Sequence, residues 1–584
     1  MLRSFLGALA AGAFLLAPSV IEAQSRTSEP LISYTTQHHP TLARKGMVVS
    51  QDRLASEAGR EILAKGGNAV DAAVATGFAL AVTHPQAGNL GGGGFMLVYL
   101  ADEKRTIAID YREMAPASAH RDMFLDAEGN VDDQKARFSL QSSGVPGTPM
   151  GLLHALEAYG TLPRDVVMAP AIRMAEEGFV VNWALADSLA RFEARLKVDP
   201  VSAQQFFKAD GSLYQAGERL MQPALASTLK KISAEGSDGF YKGSVADAIV
   251  ATVQQGGGLI THADLENYVA KEREAVFGKF AGFDVATMPA PSSGGVHIIE
   301  MLNVLSGYDL KAMGHNSAAY VHHLTETMKY AYADRSKYLG DPDFYNVPTK
   351  ALISDAHAAY IRSRIKSDRA TPSTEIAPTP LVPDESPDTT HFSVMDEAGN
   401  MVSNTYTLNF TYGNGKTVAG AGFLLNNEMD DFSSKPGVPN AFGLLGGEAN
   451  AIEPGKRPLS SMTPVLVFKD GEPFMATGSP GGSTIITVVL QTVINATLFE
   501  MNPAEATSAL RIHHQWFPDQ LRLEPGFSVD TRRILKAMGH NVDDSPQGSN
   551  RILGATQTVL KRPGAQVIEG AADPRRPGSY AAPY

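Results

Sequence analysis

Apolar residues recur at helical spacing through the first half of the chain. In residues 51–65 they fall three or four positions apart and Gly66-Gly67 follows, which predicts a helix that ends at the glycine pair. A second helix is predicted over residues 69–82, and a strand over residues 95–100. Helical patterns resume over residues 150–332. The first half is therefore predicted to be rich in helices.

The pattern changes to strand-like alternation in the second half. Residues 389–395 and 401–409 alternate and are joined by a short turn, which predicts a hairpin. A second hairpin is predicted from residues 465–469 and 473–477, and the apolar stretch 484–497 predicts a buried helix. Helices and hairpins together indicate a mixed α/β (α+β) fold.

Two segments depart from both patterns. Residues 370–388 contain five prolines and almost no periodicity, so we predict an exposed linker there. Residues 91–94 are four consecutive glycines. Such a run is typical of a connection in which a side chain would collide with a neighbouring backbone or a ligand. A tight helix-to-strand turn is the alternative.

Composition and charge exclude several classes of function. With 43% hydrophobic residues in 584, the chain can bury a large core. A formal charge of −12 disfavours binding to nucleic acids and to anionic membrane surfaces. There is no cysteine, so disulfides, thiol nucleophiles and thiolate metal sites are impossible. Covalent catalysis must use oxygen or nitrogen.

The N-terminus has the pattern of a secretory signal peptide. One cation, an apolar run and a short polar stretch with a small residue at its end occupy residues 1–23. No later run reaches the ~18 apolar residues that a membrane-spanning helix needs. We therefore expect an exported protein, periplasmic or secreted, with no membrane association after signal removal.

Common catalytic motifs are missing. The chain has no phosphate-binding loop, no G-x-S-x-G elbow and no H-E-x-x-H zinc motif. Its adjacent histidine pairs, His322-His323 and His513-His514, point in different directions on a helix or a strand. They are predicted to be packing or hydrogen-bonding residues, and no metal site is predicted.

The junction between Asp388 and Thr389 offers different chemistry. A proline-rich segment ends there and a strand begins with a hydroxyl residue. Cleavage before Thr389 would place a hydroxyl nucleophile and a free α-amine, with a pKa near ~7.7 to 8.0, on one residue. Threonine is also common at the start of a strand, and spacing alone favours that simpler reading.

Several motifs, which follow one another in a fixed order along the chain, resemble those of a known family. They are Gly88-Asn-Leu-Gly-Gly-Gly-Gly-Phe-Met96, Tyr111-Arg-Glu-Met-Ala-Pro116, Tyr332-Ala-Asp-Arg335, Thr389-Thr-His-Phe-Ser-Val394, Leu425-Asn-Asn-Glu-Met-Asp-Asp-Phe-Ser433, Lys456-Arg-Pro-Leu-Ser-Ser-Met462 and Gly478-Ser-Pro-Gly-Gly-Ser483. Over residues 45–575 the chain resembles the γ-glutamyltranspeptidases, in their bacterial form.

The resemblance implies self-cleavage between Asp388 and Thr389. A large subunit, residues 24–388, and a small subunit, residues 389–584, would stay associated as a heterodimer. The implied architecture is the N-terminal nucleophile hydrolase fold, a four-layer αββα sandwich. The implied activity is transfer of the γ-glutamyl group of glutathione or related compounds to water, an amino acid or a dipeptide, without metal or organic cofactor.

Site residues follow from the same resemblance. Thr389 is the expected nucleophile, Thr407 the threonine that assists it from the same strand face as Asn409, and Gly481 and Gly482 the oxyanion hole. The α-carboxylate of the substrate is expected at Arg112, Ser460 and Ser461. Its α-ammonium is expected at Asn409, Glu428 and Asp431, whose two acids would repel one another in an empty site and so favour a bound cation.

One departure and two alternatives remain. Residues 435–447 resemble a mobile lid, but Phe442 stands where an aromatic hydroxyl often latches the site, so we expect a looser lid. An acylase for cephalosporin side chains of the same fold would lack the ammonium-binding acids. An inactive binding protein would have lost Thr389 or the glycine pair. Neither kind of loss occurs in this sequence.

Overall fold

The computed structural model describes residues 38–377, 389–543 and 552–584. The predicted signal peptide and Asp388 lie outside these residues. No helix among the described residues combines the length and the apolar character needed to cross a bilayer.

The strands are, in chain order, β1 (Thr41–Ala43), β2 (Gly46–Ser50), β3 (Gly93–Leu100), β4 (Arg105–Tyr111), β5 (Phe179–Val180), β6 (Arg219–Leu220), β7 (Lys271–Arg273), β8 (Val276–Phe280), β9 (Phe283–Thr287), β10 (Thr390–Asp396), β11 (Met401–Thr407), β12 (Val465–Lys469), β13 (Glu472–Thr477), β14 (Ile512–His513), β15 (Arg522–Leu523), β16 (Gln557–Leu560), β17 (Ile568–Ala572) and β18 (Tyr580–Pro583).

The helices are α1 (Arg53–Ala64), α2 (Ala69–Thr83), α3 (Asp133–Phe138), α4 (Thr148–Tyr159), α5 (Arg164–Glu177), α6 (Trp183–Arg191), α7 (Glu193–Leu196), α8 (Pro200–Phe206), α9 (Pro223–Glu235), α10 (Asp238–Tyr241), α11 (Gly243–Gln255), α12 (His262–Glu266), α13 (Ser293–Leu305), α14 (Leu310–Met313), α15 (Ala318–Tyr338), α16 (Thr349–Leu352), α17 (Asp355–Arg364), α18 (Thr484–Thr497), α19 (Pro503–Ser508) and α20 (Val529–Ala537).

Two seven-stranded sheets form the centre of the fold. One has the order β18-β2-β10-β11-β3-β4-β7 and the other the order β1-β17-β16-β13-β12-β9-β8. The pairings between neighbouring strands in both sheets are antiparallel. The central hairpin β10–β11 is flanked by strands from the N-terminal half, β2 and β3. Neither half of the chain can therefore complete this sheet alone.

The apolar side chains divide into two cores because strand residues alternate between faces. On β3, Met96 and Val98 pack in a core with helices such as α2, α4 and α5. Phe95 and Leu97 point into a second core shared with the other sheet and with α13, α15 and α18. The layers therefore run helix, sheet, sheet, helix. This order confirms the predicted αββα architecture.

The glycine run beside β3 marks a close backbone approach. A Cβ on Gly94 would lie 2.5 Å from the Thr405 carbonyl oxygen, and one on Gly92 would overlap the Thr407 carbonyl. Asn89 Nδ2 donates to that same Thr407 oxygen at 2.9 Å. The run therefore lets β3 lie against the end of β11, where the site forms.

Most predicted elements are confirmed, and the structure corrects three expectations. The helices at α1, α2 and α18 and both hairpins form as predicted, but strands β5–β9 interrupt the stretch predicted to be helical. The linker prediction is wrong for residues 370–376: Ala370 N donates to Met538 O at 2.7 Å, and Ile376 is buried in the second core. Strand β11 ends at Thr407, and Asn409 has φ of 72°, so these two residues do not share a strand face.

Candidate active site

Thr389 lies immediately before β10 and opposite the last residue of β11. The antiparallel register pairs Thr390 with Tyr406, which brings Thr389 next to Thr407. The Thr389 hydroxyl donates to Thr407 Oγ1 at 3.4 Å, and Asn409 N donates to the same oxygen at 2.9 Å. Thr389 is 7% exposed, so its hydroxyl is held in a largely water-excluded position.

A small cavity opens at Thr389, and we call it the charged cavity. Its lining includes nine of the predicted site residues: Arg112, Thr389, Thr407, Asn409, Glu428, Asp431, Ser460, Ser461 and Gly482. Phe442, Leu444, Met462 and Ile485 complete it. Gly481 does not line it, and Asp388 lies outside the described residues. Residues far apart in the chain therefore meet at one point.

Arg112 is the electrostatic centre of this cavity. Its guanidinium group is fully buried and pairs with Glu428 and, at 2.5 Å, with Asp431 Oδ2. Glu113 Oε2 lies 3.4 Å from Arg112 Nη1, and Arg112 Nε donates to the Pro458 carbonyl at 3.1 Å. The expectation of two uncompensated acids is therefore wrong, because Arg112 offsets their repulsion.

Burial and neighbouring charges shift the pKa values of this cluster in opposite directions. Burial raises the pKa of Glu113 to about 7 and that of Glu428 well above its usual range, although Arg112 opposes both shifts. The surrounding carboxylates raise the pKa of Arg112 against the effect of its own burial. Arg112 therefore stays charged. Glu428 Oε2 and Glu113 Oε1 are buried without a hydrogen-bond partner.

A second arginine supports the serine pair. Arg335 Nε donates to Ser293 Oγ at 2.9 Å, and Arg335 Nη2 donates to Ser461 Oγ at 3.3 Å. Burial lowers the pKa of Arg335 to about 10, which still leaves it charged at neutral pH. The Ser460 hydroxyl accepts from Met462 N at 3.1 Å. Hydroxyls and positive charge thus converge on one side of the charged cavity.

Gly481 and Gly482 form the turn before α18. Their φ values of 137° and 54° lie in the region that favours glycine. A Cβ on Gly482 would lie 2.7 Å from Phe442 Cδ1. Within the described ranges, neither glycine N–H donates to a backbone carbonyl. The helix that starts at Thr484 adds a favourable dipole for negative charge at this turn.

The predicted lid, residues 435–447, is bound to the site by both side chains and main chain. Asn440 Nδ2 donates to Asp431 Oδ1, and Gln515 Nε2 donates to the Phe442 carbonyl, both at 3.2 Å. The Phe442 ring packs edge-on against Phe410 with the centroids 5.9 Å apart. These contacts act where a hydroxyl latch is missing. Whether the lid is looser stays a prediction.

The orientation of the Gln515 amide is fixed from behind. Ser483 Oγ donates to Gln515 Oε1 at 2.8 Å, and His513 Nε2 lies 2.8 Å from the same oxygen. The oxygen is thus occupied, and the amide nitrogen faces the lid. Gln515 therefore links the glycine turn to the lid, a role that sequence reasoning missed. The available signal in the sequence was that Gln515 directly follows the histidine pair His513-His514.

The histidine pairs make hydrogen bonds, as predicted. His513 contacts Thr487 and Gln515, and His514 contacts Asp519 at 3.1 Å. His322 Nδ1 lies 2.8 Å from His540 Nε2. Among the residues that the structure describes, two groups have ligand atoms close enough to hold a metal ion: His322, Glu326 and His540, and Glu300, Asp334 and His357. In the second group the His357 ring already bonds to both carboxylates.

Comparisons with known proteins agree with the geometry. The Gamma-glutamyltranspeptidase family profile matches residues 55–583. The chain is 49% identical over 575 residues to the glutathione hydrolase proenzyme of Escherichia coli (strain K12), with 98% of each chain covered. The Helicobacter pylori gamma-glutamyltranspeptidase structure is similar at 41% identity, with a TM-score of 0.55, 59% of this chain and 97% of that chain covered.

An acylase structure shares the whole fold. The cephalosporin acylase of Bacillus halodurans has a TM-score of 0.83 and 28% identity, and covers 95% of this chain and 99% of its own. The overall architecture therefore does not separate acylase from γ-glutamyl chemistry.

Proposed function

The chain belongs to the gamma-glutamyltranspeptidase family and is a glutathione hydrolase proenzyme, and we propose that Thr389 is its N-terminal nucleophile. The observation that carries the proposal is the position of the Thr389 hydroxyl. It lies 3.4 Å from Thr407 Oγ1 at the edge of a cavity lined by Arg112, Glu428 and Asp431. A nucleophile beside buried charges of both signs suits a substrate whose non-reacting end is a zwitterion.

Maturation begins at the Asp388–Thr389 bond. The Thr389 hydroxyl oxygen attacks the Asp388 carbonyl carbon, the C–N bond breaks, and an ester forms between Asp388 and Thr389. Water then hydrolyses that ester, which releases a carboxylate on Asp388 and a free α-amine on Thr389. The large subunit, residues 24–388, and the small subunit, residues 389–584, stay together in one sheet. In that sheet β10 and β11 of the small subunit lie between β2 and β3 of the large subunit.

Turnover uses the same oxygen. The Thr389 hydroxyl attacks the γ-carbonyl of glutathione while the freed α-amine, with a pKa near ~7.7 to 8.0, accepts the proton. The amine of cysteinylglycine leaves with a proton, and the γ-glutamyl ester on Thr389 is then transferred to water, an amino acid or a dipeptide. The N–H groups of Gly481 and Gly482 stabilise the oxyanion of each tetrahedral intermediate.

Recognition of the glutamyl group follows from the charges in the cavity. The α-carboxylate binds at Arg112 and the hydroxyls of Ser460 and Ser461, with Arg335 behind Ser461. The α-ammonium binds at Glu428, Asp431 and the Asn409 amide oxygen. Glu428 Oε2 is buried and has no hydrogen-bond partner among the described residues, so a ligand ammonium would satisfy it. Asn409 Nδ2 already donates to Asn427 O at 2.9 Å, which leaves its oxygen as an acceptor.

An acylase for cephalosporin side chains is the second candidate because the fold is shared. A side chain of that class that lacks an α-ammonium would leave Glu428 Oε2 and Asp431 without a cation partner from the ligand. The acids are present, and the identity to the acylase structure is 28% against 49% to the glutathione hydrolase. Glutathione chemistry is therefore the better supported function. We place it in the periplasm or outside the cell because of the predicted signal peptide.

The deciding experiment combines processing and turnover. Purified protein is incubated with γ-glutamyl-4-nitroanilide beside a Thr389→Ala variant, and both are run on a denaturing gel. We expect dye release and two fragments for the first, and no dye and one band for the second. N-terminal sequencing of the smaller fragment should begin Thr-Thr-His-Phe-Ser. A different N-terminus, or dye release by Thr389→Ala, would contradict the proposal.

A further inference from the structure

Three side chains of the kind that bind metal ions meet where three helices pack together. Glu300 lies on α13, Asp334 on α15 and His357 on α17. His357 Nε2 lies 2.9 Å from Asp334 Oδ2 and 3.2 Å from Glu300 Oε1, and the three atoms lie within 4.8 Å of one another. We call this group the three-helix cluster. Its residues are not part of the lining of the charged cavity.

Apolar packing holds the three helices in place around the cluster. Val304 of α13 shares a small core with Ala358 and Ile361 of α17, and Tyr330 of α15 packs against that core. Each residue of the cluster lies one helical turn from one of these apolar side chains, on the same side of its helix. The backbone that carries the three side chains is therefore fixed before any ion binds, as a preorganised site requires.

The two carboxylates of the cluster are buried and require a positive charge beside them. Glu300 is 1% exposed and Asp334 is 8% exposed. Within the described part of the chain their ion-pair partners are histidines only: His297 Nδ1 lies 2.5 Å from Glu300 Oε2, and His357 contacts both acids. The hydrogen bonds to Asp334 and Glu300 raise the pKa of His357 to about 10. The cluster thus attracts positive charge to the position of His357 Nε2.

One imidazole nitrogen cannot satisfy both carboxylates. His357 Nε2 carries at most one hydrogen, which can point to only one of the two oxygens with good geometry. A metal ion bound there would contact the nitrogen and both oxygens at once. Ligand atoms ~2.1 Å from an ion lie about 3.0 Å apart in an octahedron and about 3.4 Å apart in a tetrahedron. The separations of 2.9 and 3.2 Å in the cluster are therefore close to those that an ion requires.

The second group with metal-ligand geometry already contains its own cation. Lys329 Nζ lies 3.0 Å from Glu326 Oε1 and supplies the positive charge. His322 Nδ1 contacts His540, and His322 Nε2 lies 2.6 Å from the Lys366 carbonyl oxygen, so both nitrogens of this ring are engaged. The three-helix cluster is therefore the better candidate of the two.

We propose that Glu300, Asp334 and His357 bind one divalent transition-metal ion. One imidazole and two carboxylates suit Zn²⁺ and Mn²⁺, whereas Mg²⁺ and Ca²⁺ prefer oxygen ligands alone. The ion is structural, because it joins α13, α15 and α17 away from the charged cavity. His297 is its outer partner, which orients the Glu300 carboxylate. No step of γ-glutamyl transfer uses this ion, so ion binding and the proposed function are tested separately.

The same helices support the serine pair of the charged cavity. Ser293 begins α13, and Arg335 directly follows Asp334 on α15. Arg335 Nε donates to Ser293 Oγ at 2.9 Å, which is one link between these two helices. An ion bound by Glu300 and Asp334 adds a second link between them. Because the ion binds the folded chain and not the unfolded one, it should raise the temperature of unfolding.

Ion binding is measured on the purified protein after treatment with EDTA and dialysis. Titration calorimetry with Zn²⁺ or Mn²⁺ should show one ion bound per chain, and Mg²⁺ and Ca²⁺ should bind at least tenfold more weakly. Titrations in two buffers of different ionisation enthalpy should show release of about one proton, because the ion takes the place of the proton on His357. The unfolding temperature should rise with Zn²⁺ and return to its first value with EDTA.

Two variants assign the binding to the three-helix cluster. His357→Gln keeps a donor to the carboxylates but removes the imidazole, and Asp334→Asn keeps the shape but removes the charge. Each should weaken Zn²⁺ binding by at least the 10- to 100-fold that loss of an outer partner typically costs, and should lose the rise in unfolding temperature. His262→Gln is the matched control, because His262 Nε2 lies 2.9 Å from Asp247 in an exposed pair. It should bind Zn²⁺ like the unaltered protein.

Anomalous diffraction at the zinc edge from crystals of the unaltered protein locates the ion without any substitution. The peak should lie among Glu300, Asp334 and His357. A peak elsewhere, no binding of Zn²⁺ or Mn²⁺ by the unaltered protein, or unchanged affinity in both cluster variants would overturn the proposal.

Discussion

Asp431→Asn is the sharpest test of how the charged cavity recognises its substrate. Asp431 Oδ2 lies 2.5 Å from Arg112 Nη2, and its Oδ1 accepts from Asn440 at 3.2 Å. Asparagine keeps the shape and one acceptor oxygen but removes the negative charge. That single oxygen can accept from Arg112 or from Asn440, but not from both. The substituted site should therefore still bind a carboxylate at Arg112, yet bind an ammonium less well.

The magnitude follows from the bond that is lost. A hydrogen bond to a charged group contributes about 1.5–3 kcal/mol, and each 1.4 kcal/mol is a factor of ten. We therefore expect kcat/KM for γ-glutamyl-4-nitroanilide to fall about 10- to 150-fold. Glutaryl-4-nitroanilide has the same chain without the ammonium group, so its kcat/KM should stay within threefold. The preference for the γ-glutamyl compound is the quantity that falls.

The neighbouring Asp430 gives a matched control. It lies 3.2 Å from Arg137 Nε and does not line the charged cavity. Asp430→Asn makes the same substitution one residue away, and it should leave the preference between the two anilides unchanged. Equal losses on both anilides in Asp431→Asn, or a full preference retained, would refute the reasoning that Asp431 binds the ammonium.

Three further changes probe the turn, the lid and the core. Gly482 has φ of 54°, and a Cβ on it would lie 2.7 Å from Phe442, so Gly482→Ala should lower kcat by ~10²-fold or more. Gly471 has φ of 81° and lies in open space, so Gly471→Ala should leave kcat unchanged. Equal activities of the two variants would contradict a role of Gly482 in the oxyanion hole. Gln515→Leu loses the donor to the Phe442 carbonyl, so limited proteolysis within residues 435–447 should speed up severalfold; an unchanged rate would show that Gln515 does not hold the lid. Burial lowers the pKa of His391 from its usual 6.5 to about 3, so unfolded chains bind more protons and stability falls by about 1.4 kcal/mol per unit as pH drops below 6.5. Urea unfolding of the single-chain Thr389→Ala protein should show this loss of stability between pH 7 and 5. Adding His391→Asn to that protein should make the loss smaller by about 2 kcal/mol. An identical loss in the two proteins would contradict the assignment of the pH dependence to His391.

Local pattern predicted the elements that obey simple periodicity. The buried helix after the glycine turn has the predicted bounds, Thr484–Thr497, and the Gly481-Gly482 pair on its N-terminal side marks where it begins. Strands β5–β9 were missed since each has five residues or fewer, too short for a clear alternating pattern. The prediction of an exposed linker is wrong at residues 370–376 for a physical reason. Prolines report where regular structure ends, but not whether the segment packs against distant residues.

The site was predictable only through resemblance. Arg112 and Glu428 are 316 positions apart, and no local pattern shows that they form a buried ion pair. The same holds for Arg335 and Ser461, which meet because α15 packs beneath the serine segment.

The charged cavity links assembly to substrate recognition through Arg112. Its partners Glu428 and Asp431 follow Thr389 in the chain, whereas Arg112 and Glu113 precede it, so the ion cluster spans the proposed cleavage point. Removing one partner of a buried pair leaves an uncompensated charge and costs about 3–5 kcal/mol. The two halves therefore hold each other in the geometry that we propose for binding the glutamyl zwitterion.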